Sequence, residues 1–276
     1  MDHRPRKRFG QNFLHDPFTI GRIVAAVGPR PGQRLVEIGP GEGAITEGLL
    51  RAAGRLDVVE LDRDLVGPLA DRLGMLGELR IHNADALRFD LCALAEPASA
   101  DSDRLRIVGN LPYNISTPLL FRFLDQAHCI DDLHLMLQKE VVDRTCAGPG
   151  SKTYGRLSVM VQTWCSTERL LVIGPGAFNP PPKVESAVLR LVPHRPLPCT
   201  IDDPALHAHT VAAAFAQRRK TLRNNLKGMV KPAMLIDCGI DPTARAETIS
   251  VRAFAELANA LSRSQCQDAG AGSLDG

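Results

Sequence analysis

The feature that most constrains the fold is a glycine-rich turn between an apolar run and a helical pattern. Residues 35–38 form a short, mostly apolar run, and glycine then occupies alternate positions from 39 to 43. Apolar residues at helical spacing follow over residues 45–50. Strand, glycine turn and helix in this order are typical of the opening of a doubly wound α/β sheet, so we expect strands and helices to alternate along the chain.

That alternation continues as far as residue 192. After residues 35–38, further strands are predicted at 58–62, 79–82, 106–108, 133–137, 169–173 and 186–192, with helices at 64–73, 119–124 and 157–164. A chain of this kind forms a mostly parallel, seven-stranded sheet with helices on both faces.

The C-terminal part has a different pattern. Residues 193–204 contain four prolines and no apolar periodicity, which is typical of a linker. Apolar residues in the segment that follows are spaced only as on helix faces. The sequence therefore predicts an α/β domain over 1–194, a small all-helical domain over 195–262, and a disordered tail over 263–276.

Composition argues against a membrane protein, a secreted protein and a protein built on disulfides or metal sites. The chain of 276 residues has no apolar run long enough to span a membrane, and its N-terminus lacks the apolar stretch of a secretory signal. Seven cysteines are scattered singly, at 92, 129, 146, 165, 199, 238 and 266. We expect reduced thiols, no disulfide, no metal site, no membrane association and a cytoplasmic location.

The net charge of +2 hides an uneven distribution. Residues 4–8 hold four basic side chains, and residues 218–231 hold six with no acid among them. One such run is often only a solvated helix face, but two acid-free clusters favour a polyanionic partner such as nucleic acid. The candidate RNA-binding residues are Arg6, Lys7, Arg8, Arg218, Arg219, Lys220, Arg223 and Lys227.

Acidic residues follow the glycine turn at successive strand ends. Glu60 ends the second predicted strand and can accept hydrogen bonds from ribose hydroxyls, and Asp85 follows the third and can accept from an adenine amine. The backbone at Gly39 and Gly41 can approach a ligand closely, although such turns and solvated strand-end acids also occur without one. Acids suit the ammonium and sulfonium of S-adenosyl-L-methionine better than the pyrophosphate of NAD, and no lysine follows the glycines as in a phosphate-binding loop. The fold is predicted to be that of a class I methyltransferase, α/β and Rossmann-like.

A tetrapeptide after the fourth strand points to the reaction. Asn110, with a main-chain carbonyl at Leu111 or Pro112, can accept both hydrogens of an exocyclic amine, and Tyr113 can stack on a flipped base. Phe178, in a proline-rich loop, can present a second aromatic face. The alternatives are an ordinary proline turn for the tetrapeptide and core packing for Phe178.

With these residues in place, the chain resembles the ribosomal RNA adenine dimethylases, especially those of the small subunit. The resemblance covers roughly residues 7–260 and rests on the blocks at 7–14, 37–43, 109–114, 138–141, 150–158, 178–186 and 215–226. Glu185 and Thr153 depart mildly from the usual pattern.

The resemblance implies transfer of two methyl groups to each of two adjacent adenines near the 3′ end of small-subunit RNA. We also expect that the partner is this RNA within the 30S particle and that the protein is a monomer. It also implies contacts to the cofactor, and the candidate set is Gln11, Asn12, Leu14, Gly39, Gly41, Glu60, Asp85 and Asn110.

Two alternatives remain at this stage. The same chemistry on large-subunit RNA would fit the N-terminal block, although the 218–226 block favours the small subunit. A non-catalytic relative, acting as an assembly checkpoint or a transcription factor, would not need the intact glycine turn, Glu60 and residues 110–113.

Overall fold

The computed structural model describes residues 12–95 and 104–271. The chain divides into two compact units. The first unit takes the chain up to Val142 together with Ser166–Pro193, and the second takes Asp143–Cys165 together with the chain from His194 onward.

The elements alternate as the sequence predicts, with boundaries that extend several of the predicted runs. The strands are β1 (Phe13–Leu14), β2 (Arg34–Ile38), β3 (Arg55–Glu60), β4 (Glu78–Asn83), β5 (Leu105–Asn110), β6 (Ile130–Gln138), β7 (Cys165–Ile173), β8 (Phe178–Asn179) and β9 (Ser186–Pro193). The helices are α1 (Pro17–Val27), α2 (Thr46–Ala53), α3 (Arg63–Leu73), α4 (Ser116–Asp125), α5 (Lys139–Thr145), α6 (Arg156–Trp164), α7 (Pro204–Ala214), α8 (Leu222–Asn225), α9 (Pro232–Asp237) and α10 (Val251–Ala271).

The first unit is built on a seven-stranded sheet in the order β4-β3-β2-β5-β6-β9-β7. Strand β2 pairs in parallel with both β3 and β5, and β9 pairs antiparallel with β6. The predicted α/β, mostly parallel, seven-stranded sheet is therefore confirmed. Because the chain moves from β2 to β3 on one side and returns to β5 on the other, a crevice opens at the carboxyl ends of β2 and β5.

Local signals fix the first helix. The Asp16 side chain accepts a hydrogen bond from the Thr19 amide at 2.9 Å, and Pro17 occupies the first turn, where no amide donor is needed. Gly28 ends the helix in the left-handed region, with φ at +57°. These signals set both ends of α1, and β2 begins six residues after Gly28, with residues 35–38 all buried.

A buried ion pair ties the amino-terminal edge of the sheet together. Arg106 on β5 lies opposite Asp132 on β6, and its Nε and one terminal nitrogen contact the two carboxylate oxygens at 2.9 Å each. The same guanidinium donates to the Val27 carbonyl at 2.7 Å, at the end of α1. This pair connects two strands and a helix at the edge opposite the crevice.

The second unit is helical in its C-terminal part, where the sequence predicts helices only. α6, α7 and α10 pack against one another, and the Tyr154 hydroxyl donates to the Ile249 carbonyl at 2.8 Å.

Two predicted boundaries differ from the structure. Residues 143–165 belong with the C-terminal helices because the buried side of α6 faces α7, where Thr163 Oγ1 lies 3.1 Å from His207 Nε2. The tail predicted to be disordered from residue 263 continues α10 as far as Ala271.

No helix in the described ranges is both long and apolar enough to cross a bilayer.

The expectation that all seven cysteines are reduced thiols is wrong for one pair. Cys92 and Cys129 are joined by a disulfide, with their Cα atoms 5.5 Å apart. Their separation of 37 residues gives no sequence signal, because the pair meets only when a short 3-10 turn (Leu91–Leu94) packs beside the start of β6.

Replacing Asp132 by alanine tests the buried ion pair. It leaves the Arg106 guanidinium buried without its counter-charge, so we expect the free energy of unfolding to fall by roughly 3–5 kcal/mol in urea denaturation. The matched control is Glu47→Ala, which removes an exposed partner of Arg51 on α2 and should cost less than about 1 kcal/mol. Equal losses in the two variants would contradict a structural role for the buried pair.

Candidate active site

The crevice at the carboxyl edge of the first unit contains a cavity of about 320 Å³. Its walls come from the ends of β2, β3 and β5, from the loop after β4, and from residues 12–14. The predicted site residues that line it are Asn12, Leu14, Gly39, Gly41, Glu60, Asp85, Asn110, Leu111, Pro112 and Tyr113. Residues far apart in the sequence thus meet where the parallel strands end.

The glycine turn after β2 passes close to its neighbours. Gly39 and Gly41 have φ values of +66° and +58°, a region that side chains rarely adopt. A Cβ on Gly41 would also lie 3.0 Å from the Phe13 ring. Glycine is therefore required at this position by both the backbone conformation and the space available.

Glu60 holds the turn against the end of β3. One carboxylate oxygen accepts from the Gly41 amide at 3.1 Å, and the other accepts from the Asp62 amide at 2.8 Å. Burial raises the pKa of Glu60 above its ordinary value, and these two amides oppose that rise. Each carboxylate oxygen keeps a second lone pair for a ligand.

Glu37 is a cavity residue for which the sequence indicated no individual contact. It lines the cavity, is 1% exposed, and its Oε2 has no hydrogen-bond partner within the described part of the chain. Burial raises the pKa of Glu37 to about 8. The sequence signal for this residue is its position as an acid one residue before β2 ends at the glycine turn.

The cavity wall carries charge of one sign. Its acidic residues are Glu37, Glu42, Glu60, Asp62 and Asp85, and no lysine, arginine or histidine is among the described residues that line it. Burying carboxylates without cations is costly unless a ligand compensates them. The wall therefore suits a positively charged ligand, and it does not suit a pyrophosphate.

The Asn110 side chain is held in a defined orientation. Its Nδ2 donates to the Asn12 carbonyl at 3.1 Å, so the amide oxygen remains as its acceptor for a ligand. The Pro112 carbonyl already accepts from the Ile115 amide at 3.2 Å. The sequence left the Leu111 and Pro112 carbonyls as alternative acceptors for the target amine. The Leu111 carbonyl does not accept this bond from the Ile115 amide.

Tyr113 is fixed at the rim of the cavity. Its hydroxyl is 2.6 Å from Ser186 Oγ, at the start of β9, and burial raises its pKa. The hydrogen bond anchors one end of the ring while the ring itself lines the cavity. A half-buried aromatic ring in this position can stack on a planar base.

The structure does not bring Phe178 into the cavity. Phe178 is 2% exposed, lies opposite Leu14 in the β1–β8 pair, and belongs to the hydrophobic core. Its position is therefore that of a core residue, which is the alternative that the sequence left open. A contact with a target base stays a prediction for this residue.

The predicted RNA-binding residues fall in two places. Arg6, Lys7 and Arg8, like the predicted cofactor contact Gln11, lie outside the described residues. In the second unit, Arg218 forms an ion pair with Glu247 at 3.1 Å and donates to the Lys152 carbonyl at 2.7 Å. The remaining cations, Arg219, Lys220, Arg223 and Lys227, are exposed.

Folding brings one acidic residue to the basic run at residues 218–231. The sequence has no acid among residues 218–231, but Glu247 is brought to Arg218. Arg223 and Lys227 line one surface groove together with Lys231. A phosphate contact by the cations of this groove stays a prediction.

Comparison with known proteins agrees with this geometry. The family model of the ribosomal RNA adenine dimethylases matches residues 2–263. A protein named ribosomal RNA small subunit methyltransferase A from Methylococcus capsulatus is 55% identical over 261 residues, which are 95% of this chain and 99% of that protein. A protein of the same name from Pseudomonas aeruginosa is 53% identical over 259 residues, 94% of this chain and 95% of that one.

Solved structures share the fold. A dimethyladenosine transferase from Plasmodium falciparum has a TM-score of 0.76 at 23% identity, covering 89% of this chain and 95% of its own. The 23S rRNA methyltransferase ErmE has a TM-score of 0.70 at 25% identity, covering 91% of this chain and 100% of its own. With its family model and its relatives both spanning almost the whole sequence, this chain belongs to the ribosomal RNA adenine dimethylase family.

Proposed function

We propose that this protein transfers methyl groups from S-adenosyl-L-methionine to the N6 amines of two adjacent adenosines near the 3′ end of small-subunit (16S) ribosomal RNA. The products are N6,N6-dimethyladenosines, and the substrate is the RNA in the 30S particle. The observation that carries the proposal is the position of Asn110, whose amide oxygen is left as an acceptor at a cavity lined by carboxylates.

The residues of the cavity fit this cofactor. Glu60 would accept from the ribose hydroxyls and Asp85 from the adenine amine, with the glycine turn beneath them. The unpartnered Oε2 of Glu37 would accept from the ammonium group, which supplies the counter-charge that this buried carboxylate lacks. When bound, S-adenosyl-L-methionine supplies an electrophilic methyl group on its sulfonium.

The protein's own contribution is to orient the target amine. The nitrogen of an adenine amine is a poor nucleophile because its lone pair is delocalised into the ring. Asn110 Oδ1 and the Leu111 carbonyl would accept its two hydrogens and favour a pyramidal nitrogen with its lone pair toward the methyl group. Tyr113 would hold the flipped base by stacking.

The second transfer places different demands on the same site. After one methylation the amine keeps a single hydrogen, so only one of the two acceptors can still be used. Stacking then contributes a larger share of the orientation. The site can thus complete a dimethylation without a second set of catalytic groups.

Several features favour this function over the alternatives. The small-subunit relatives are more than half identical to this chain, whereas the large-subunit enzyme ErmE is 25% identical. A non-catalytic binding protein would need neither the Asn110 arrangement nor the acidic cavity. We also propose that the protein acts as a monomer in the cytoplasm, where 30S particles are assembled.

Replacing Asn110 by alanine tests the proposed chemistry. It removes an acceptor aimed at the amine, and we expect the single-turnover rate on unmethylated 30S particles to fall by roughly 10²–10³-fold. Nucleoside digestion of the labelled product would measure the rate. Calorimetry with S-adenosylhomocysteine would separate the loss of rate from any weakening of cofactor binding, because Asn110 is also a predicted cofactor contact, and a rate within tenfold of the wild type at saturating cofactor would contradict the assignment.

The pH dependence of stability tests the environment of Glu37. Its folded-state pKa of about 8 lies above the unfolded value, so its contribution to stability is complete below about pH 4.5 and is lost as the pH rises toward 8. Glu37→Gln should remove this decline, at most about 1.4 kcal/mol per pH unit, in urea denaturation of the free protein. Parallel stability curves for the two proteins would show that Glu37 is not held in its neutral form.

The basic residues of the second unit are tested by their salt dependence. Replacing Arg219, Lys220, Arg223 and Lys227 together by alanine should weaken binding to 30S particles. It should also lower the slope of log affinity against log salt by up to roughly 3. The matched control is Arg252→Ala, an exposed residue of the same unit that is paired with Glu256. An unchanged slope in the fourfold variant would mean that these cations face solvent only.

A further inference from the structure

A second cluster of reactive side chains lies in the first unit. Cys92, His128 and Cys129 place their ligand atoms within 4.8 Å of one another, the one such group of His, Cys, Asp or Glu in the described part of the chain. None of the three lines the acidic cavity. The cluster is therefore separate from the proposed methyl-transfer site.

The protein holds the two cysteines together independently of the bond between them. The Gln126 side chain accepts from the Leu91 amide at 2.7 Å and donates to the Phe89 carbonyl at 3.4 Å, and it is 5% exposed. Asp90 accepts from the Cys92 amide at 3.0 Å. These contacts fix the turn that carries Cys92 beside the start of β6.

Both sulfur atoms also face the same oxygen. The Gln126 carbonyl lies 3.2 Å from Cys129 Sγ and 3.7 Å from Cys92 Sγ. Because Gln126 contacts the turn through its side chain and both sulfurs lie beside its backbone carbonyl, we expect the two thiols to stay adjacent when the disulfide is opened.

We propose that reduced Cys92 and Cys129, with His128, bind one thiophilic divalent metal ion of the Zn²⁺ type. Two thiolates and a neutral imidazole are ligands that Zn²⁺ prefers, and three protein ligands leave a fourth position for water. His128 is exposed and Cys92 is half-buried, so the metal can enter from solvent. Metal binding displaces a proton from each thiol, and it is exclusive with the disulfide.

The disulfide form and the metal form are related by a balanced reaction. A water-soluble phosphine consumes one water and converts the disulfide into two thiols, and the phosphine is oxidised to its oxide. The metal then replaces the two thiol protons. In both forms the cross-link joins the turn after β4 to the short 3-10 turn (Ala127–Cys129) before β6, across 37 residues of chain.

Titration of the full-length protein with Co²⁺, followed by Zn²⁺, tests this site. In the phosphine-reduced protein we expect a thiolate-to-metal charge-transfer band that Zn²⁺ displaces, with proton release and with affinity that falls as the pH is lowered. The disulfide form should give no such band. His128→Ala should weaken binding at least roughly tenfold, because even outer partners of a metal site contribute that much.

Two exposed residues supply matched controls. His209→Ala and Cys266→Ser remove the same side-chain types elsewhere and should leave the Co²⁺ affinity unchanged. Since His128 is exposed, its variant keeps the fold, and thermal unfolding would verify this. No thiolate band in the reduced wild type, an unchanged band in Cys92→Ser, or unchanged affinity in His128→Ala would each overturn the proposal.

Discussion

The parallel pairing of β2 with β3 and β5 is the constraint on which the rest of the structure depends. Parallel strands end at the same edge, so Glu37, Glu60 and Asn110 meet although they are far apart in the chain. The switch in strand order opens a crevice there. The buried pair of Arg106 and Asp132 stabilises the opposite edge, away from the chemistry.

The electrostatics of the cavity follow from how its carboxylates are satisfied. Backbone amides of the glycine turn and of Asp62 stabilise Glu60, whereas Oε2 of Glu37 is left without a partner in the described residues. A buried acid with a raised pKa is costly for the free protein and favourable once a cation arrives. The same feature that lowers the stability of the folded chain at higher pH supports the proposed binding of a cationic cofactor.

One ion pair and one disulfide form between residues whose contact the sequence does not predict. Arg218 belongs to a run without acids, yet Glu247 reaches it in the folded unit. Cys92 and Cys129 are isolated in sequence, yet Gln126 holds the 3-10 turn that contains Cys92 beside the one that contains Cys129. In both cases the decisive partner comes from a different element, and residue spacing carries no information about it.

The sequence by itself determined the α/β fold, the seven-stranded sheet, the helical C-terminal part and ten of the residues that line the cavity. It could do so because strand periodicity, glycine turns and strand-end acids are local patterns whose position in a parallel sheet is general. Only the tertiary structure decided that α6 joins the C-terminal helices, that Phe178 lies in the core, that the Leu111 carbonyl lacks the bond made by Pro112, and that Cys92 meets Cys129. Each of these depends on contacts between distant segments, whose free energy is set by packing and burial and not by neighbours along the chain.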